Sequence, residues 1–169
     1  TMRQCATLFT TLYPGDEQKA YARFKQIVEQ LQALRLTTYL DDLADVVVEA
    51  AKEIIDRPNT ESFLEEVFLL LRQIGSARPT SFLVNIITKE GDEDERLFKR
   101  EMAAETLLVI PDPTIVDQLS EIARAKGHYS RSQRRVAVWA LGEIGSAVAK
   151  QVLRELKGDE EVSELITSE

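Results

Sequence analysis

Three short stretches of this chain each end one apolar segment and at once begin another: Ile74-Gly75-Ser76, Ile110-Pro111-Asp112 and Ile144-Gly145-Ser146. They lie 36 and 34 residues apart. Glycine closes a helix because it adopts the left-handed backbone conformation at little cost. Proline stops one because it lacks the amide hydrogen that the helix requires. Before each break stands an apolar helical pattern of about four turns, and after each a shorter amphipathic one. The regular spacing predicts at least three helical hairpins, turning at Gly75, Pro111 and Gly145. One such hairpin cannot bury its own apolar face, so hairpins of this kind must stack.

The rest of the chain agrees with that constraint. Alternating β-branched runs do not occur, whereas apolar residues recur at three- and four-residue intervals throughout. Tyr21, Phe24, Val28 and Leu31 predict a helix over 16–35; Leu40, Leu43, Val47, Ala51 and Ile54 predict another over 38–56. Phe63, Val67, Leu70, Leu71 and Ile74 mark a third over 60–74. Pro79-Thr80 opens a short helix through 89, and the acidic 91–95 run leads into one ending at 110. Pro113 is placed as a first helical residue of the next, which stops near Gly127. Two further helices are expected over 134–144 and 146–158, and the tail DEEVSELITSE leaves room for another turn or two.

The segment RRVAVWALGEIGS, residues 134–146, resembles the first helix and turn of a HEAT repeat, of the short bacterial kind found in phycobilin lyases and related proteins. In that pattern a basic residue opens the helix, small apolar residues follow and ALGxIG closes it. Arg134 or Arg135, Ala137, Ala140, Leu141, Gly142, Ile144 and Gly145 stand at those positions. LLVIPDPTIVDQLSEIA and LLLRQIGSARPTSFLVNII fit the same turn more loosely. The resemblance covers residues 60–158. It implies an all-α, right-handed α-solenoid of stacked antiparallel hairpins with about eight to ten helices. First helices would line its convex face and second helices its concave face. The expected organisation is a single helical-repeat domain over 1–169, with 1–57 as divergent repeats or capping helices.

Composition narrows the chemistry. A net charge of −8 disfavours general attraction to nucleic acid or anionic lipid. One cysteine, Cys5, and one histidine, His128, exclude an internal disulfide and a zinc site built from Cys and His alone. Deoxyhypusine hydroxylase, an iron enzyme on this fold, requires several His-Glu motifs, and a single histidine excludes it. No apolar run approaches the roughly 18 residues needed to cross a bilayer, and the N-terminus lacks a signal-peptide pattern. The expected location is cytoplasmic. Asp41-Asp42-Leu43-Ala44-Asp45 spells the DDxxD motif that holds magnesium-diphosphate in all-helical prenyl synthases. The second acidic motif of those enzymes is missing, and acids in a helix's first turn are explained by its dipole. No phosphate loop, nucleophile elbow or His-Glu-x-x-His is present. Neither a cofactor nor a metal is expected, and the sequence disfavours an enzyme.

Two features point to a partner. Between 124 and 135 stand Arg124, Lys126, Arg131, Arg134 and Arg135 without an acid; Lys150, Arg154 and Lys157 follow on one side of the next helix. These residues form a candidate edge for an acidic or phosphorylated protein segment. The competing reading is a scaffold detail, with the cations serving helix C-termini or tied to carboxylates such as Glu121 or Glu143. Trp139 points away from Ala137, Ala140, Leu141 and Ile144, which are expected to form the buried side. It lies beside Arg135 and Glu143, the latter at a solvent-facing position. The sequence favours burial of Trp139 under the tail or a neighbouring repeat; left open, it would be a contact anchor. The function expected is a non-catalytic interaction module or scaffold. A bilin lyase subunit or phycobilisome chaperone is the alternative from the resemblance, and phosphate or nucleic-acid binding at the basic edge is a second.

Overall fold

The computed structural model describes residues 37–56, 61–91 and 93–166, together with positions 26, 29, 30 and 33. Cys5 and nearly all of the helix expected over 16–35 lie outside the described residues. Every extended element described is helical, apart from an isolated bridge between Lys126 and Tyr129. The chain divides into two compact units at the Pro79–Thr80 junction.

In the first unit, α1 (Thr37–Ile54) packs on α2 (Glu61–Ile74). The three- and four-residue periodicity buries Leu43, Ala44, Val47 and Ala51 on α1 and Leu64, Val67, Phe68 and Leu71 on α2. Gly75 ends α2 at φ +65°, its amide donating to the Leu71 carbonyl at 3.2 Å. The Ser76 hydroxyl donates to Asp41 at 2.5 Å and accepts the Arg78 amide at 3.1 Å. Arg78 lies 3.8 Å from the Asp45 carboxylate. The aspartates are thus not first-turn acids, because α1 already begins at Thr37. Asp41 instead ties α1 to the turn that closes α2.

The second unit contains α3 (Thr80–Thr88), α4 (Glu93–Leu107), α5 (Ile115–Arg124), α6 (Arg131–Ile144), α7 (Ala147–Glu155), a 3-10 turn at Leu156–Gly158 and α8 (Ser163–Ile166). Alternate helices are neighbours: α4, α6 and α8 form one layer, and α3, α5 and α7 the other. Across the layers α3 packs on α4, α5 on α6, and α6 on α7. α4 and α5, the helices flanking the Pro111 break, are not among the closely packed pairs, so the expected hairpin there is a bend rather than a packed pair. The arrangement is that of a helical repeat in which each layer is built from successive neighbours.

The breaks at Pro111 and Gly145 stand where the sequence placed them. At the first, the Asp112 carboxylate accepts the Thr114 amide at 2.9 Å and its hydroxyl at 2.8 Å. The Thr114 amide and the hydroxyls of Thr80 and Thr114 hold Asp112 below its ordinary pKa. Pro113 lies in this turn, two residues before α5, rather than at the first helical position. At the second, Gly145 takes φ +59° and its amide reaches the Leu141 carbonyl at 3.2 Å. Ser146 then caps α7 by accepting the Ala149 amide.

α6 begins at Arg131, earlier than expected, because Ser130 and Gln133 form a capping box. The Gln133 side chain accepts the Ser130 amide at 2.7 Å and donates to the Thr88 carbonyl at 2.6 Å. Ala137, Ala140 and Leu141 are fully buried, as their spacing predicts. Ile144 is only half-buried, a departure that follows from its place at the last position of α6, where the chain turns away.

Candidate partner-binding surface

The basic run 124–135 spans the end of α5, the connecting turn and the start of α6, so the fold brings it against the segment after α7. Four of its five cations meet carboxylates at the end of α7 or in that segment. Arg124 donates to Glu155 through Nε at 3.1 Å and Nη2 at 2.6 Å. Lys126 lies 3.7 Å from Asp159, and Arg131 lies 3.8 Å from Glu164 while donating to the Glu161 carbonyl at 3.3 Å. Arg134 gives Nη2 to Asp159, Nη1 to Glu161 and Nε to the Ala123 carbonyl, the last at 3.0 Å.

Arg134 is therefore not a surface cation. Its side chain is fully buried, which corrects the expectation that it contacts a partner. A buried guanidinium persists where its donors are satisfied, and two carboxylates and a carbonyl satisfy this one. The same contacts act on the acids. The hydrogen bond from Arg134 holds Asp159 below the usual carboxylate range, helped by the Glu161 amide and by the charges of Arg134 and Lys126, against the opposing effect of burial. Glu155 is lowered by its hydrogen bonds from Arg124 and Gln151.

The sequence reading missed Arg100, the residue 34 positions before Arg134. It too is buried, donating to the Ser132 hydroxyl at 2.9 Å and the Lys89 carbonyl at 3.1 Å. Each arginine reaches back to a carbonyl at the end of the preceding helix of the other layer. The repeat spacing was the signal that could have found it.

Arg135, Lys150, Arg154 and Lys157 are exposed, and among the described residues no carboxylate pairs with them. Trp139 is 37% exposed, short of the full burial expected: the tail folds over Arg134 on another side of α6 and leaves the residue partly open. It continues an exposed stripe with Arg131, Arg135 and Glu143, spaced four residues apart. A cleft of about 490 Å³ between α5 and α7 is lined by Asp117, Ser120, Glu121, Arg124, Ala125 and Val148. Among the described residues no group of three or more His, Cys, Asp or Glu side chains is placed to hold a metal ion. No described helix is long and apolar enough to cross a membrane.

A family model for HEAT repeats matches residues 80–168, slightly more than half of the chain. No curated protein and no solved structure matches it.

Proposed function

We propose that this chain, which belongs to the HEAT-repeat family, is a non-catalytic interaction module that holds a protein partner on its exposed helical surface. HEAT repeats generally mediate protein interaction or scaffolding. The observation that carries the reading is Trp139. It is partly exposed on α6, whereas Val136, Ala137, Val138, Ala140 and Leu141 of the same helix are buried. A partly exposed tryptophan keeps a large, rigid contact area that a partner can desolvate. Arg135, one turn away, adds a cation that can stack on the ring or meet an acid of the partner. The reading extends to a right-handed solenoid acting in the cytoplasm.

Affinity capture with chemical cross-linking from the native cell tests this function. The parent chain is expected to retain a defined protein, and W139A to bind it at least about tenfold more weakly. Equal capture by W139A would remove Trp139 from the interface, and the absence of any captured protein would overturn the module itself. Co-purification of a visible chromophore would instead favour the bilin lyase alternative.

A further inference from the structure

Repeat spacing allows equivalent faces of α3, α5 and α7 to be compared position by position. With a 34-residue offset, Ile115, Leu119 and Ile122 of α5 correspond to Ala149, Leu153 and Leu156, and all six are buried. With the 36-residue offset of the earlier breaks, Leu83 and Ile86 of α3 correspond to Leu119 and Ile122, again buried. The registers are therefore sound.

A second face behaves differently. Thr80 and Ile87 of α3 are buried and Val84 is half-buried; their equivalents in α5 are Val116, half-buried, with Ser120 and Ala123, both buried. Ser120 lines the cleft with Val148 of α7, so this is the face on which the next helix of the layer sits. The equivalents in α7, the last described helix of the layer, and in the 3-10 turn after it are Lys150, Arg154 and Lys157, all exposed. A face of uncharged residues, apolar or hydroxylic, has become a row of three cations. The acids closest in sequence are occupied elsewhere, Glu155 by Arg124 and Asp159 by Arg134 and Lys126.

We propose that this face of α7 docks an acidic segment of a partner protein, lying where a further helix of the same layer would lie. Covering three cations with another apolar repeat face would desolvate them without compensation. A segment carrying carboxylates at four- and three-residue spacing matches the row and leaves the charges paired. The proposal rests on the reading of the chain as an interaction module and adds the partner's chemistry and its place of contact.

The test is fluorescence anisotropy of a labelled helical peptide with glutamates at that spacing, titrated with the whole chain at low salt. Its glutamine counterpart and a single-stranded RNA of similar length serve as comparisons. The glutamate peptide is expected to bind, and K150E/R154E/K157E to weaken it by about tenfold or more, with added salt weakening the parent complex. K150Q/R154Q/K157Q should fall between the two, with unchanged thermal melting. No binding of the glutamate peptide, equal binding of its glutamine counterpart, equal affinity in the reversed variant, or tighter binding of the RNA would each overturn the proposal. If the cross-linked partner is captured equally by the parent and by K150E/R154E/K157E, this inference fails while the module stands. If no partner is captured at all, the module fails, and the titration still reports on the face.

Discussion

Arg134 carries a full charge into a place without solvent, and what keeps it there is a segment 25 to 27 residues further on. Removing both negative charges with D159N/E161Q leaves the buried guanidinium with neutral acceptors only, the Ala123 carbonyl and at best two side-chain amide oxygens. That should cost about 3 kcal/mol in urea unfolding, the lower end of the range for orphaning a buried charge. R134M should cost less, because Asp159 and Glu161 are partly exposed and can rehydrate. If R134M proves the more damaging variant, the ion cluster is not what secures this segment. The pH dependence has a fixed sign. Asp159 is depressed in the folded chain, so its contribution is fully present above the unfolded carboxylate value of about 3.9. It is lost as pH falls through the lower folded value. Exchange protection of residues 156–166, corrected for the intrinsic rate, should therefore fall in acid before that of α6, and D159N should flatten the difference. The sequence allowed for cations tied to carboxylates but pointed to Glu121 or Glu143, not to Glu155, Asp159, Glu161 and Glu164. A basic residue at the start of a helix looks like a surface residue until its distant partners are known, and the openness of Trp139 likewise depends on where the tail lies.

Helix ends were easier to read, because local chemistry decides them. Gly75 and Gly145 end helices in the left-handed conformation that their residue type favours, and the bend after Ile110 falls at the proline. The early start of α6 was also written in the chain, since Ser130 followed three residues later by Gln133 is a capping-box signature, but the conspicuous arginines drew the boundary past it. Ser130→Ala should cost about 1 kcal/mol by freeing the Gln133 amide. Gly145→Ala should cost at least about 1 kcal/mol, for a different reason. An added Cβ would meet only the Gly142 and Glu143 carbonyl oxygens, at 3.7 and 4.0 Å, which are ordinary contacts. The penalty comes from φ +59°, so serine or valine at 145 should not recover it. Chemical denaturation of the two variants, with thermal melting as a second reading, checks both figures.

At the scale of the molecule, stability in a stack is passed between neighbours. Leu141 is fully buried on α6, and L141A should cost roughly 2–5 kcal/mol through lost contacts and a residual cavity. Protection from exchange should fall first in α5 and α7, which pack on α6, and last in α1. Uniform loss along the chain would contradict that locality. The repeat spacing alone implies such a stack, whereas the charge on the face of α7 becomes meaningful only when α3, α5 and α7 are set in register.

α6 touches α3, α4, α5, α7 and α8, every other α-helix of its unit, and it carries the only tryptophan in the chain. The indole is partly open, so its emission is sensitive both to loss of the surrounding helices and to anything laid across it. The molecule thus contains its own optical label. Tryptophan emission reports the melting of the Thr80–Ile166 region separately from that of Thr37–Ile74, and occupancy of the Trp139 surface can be followed on the unmodified chain by a spectral shift alone.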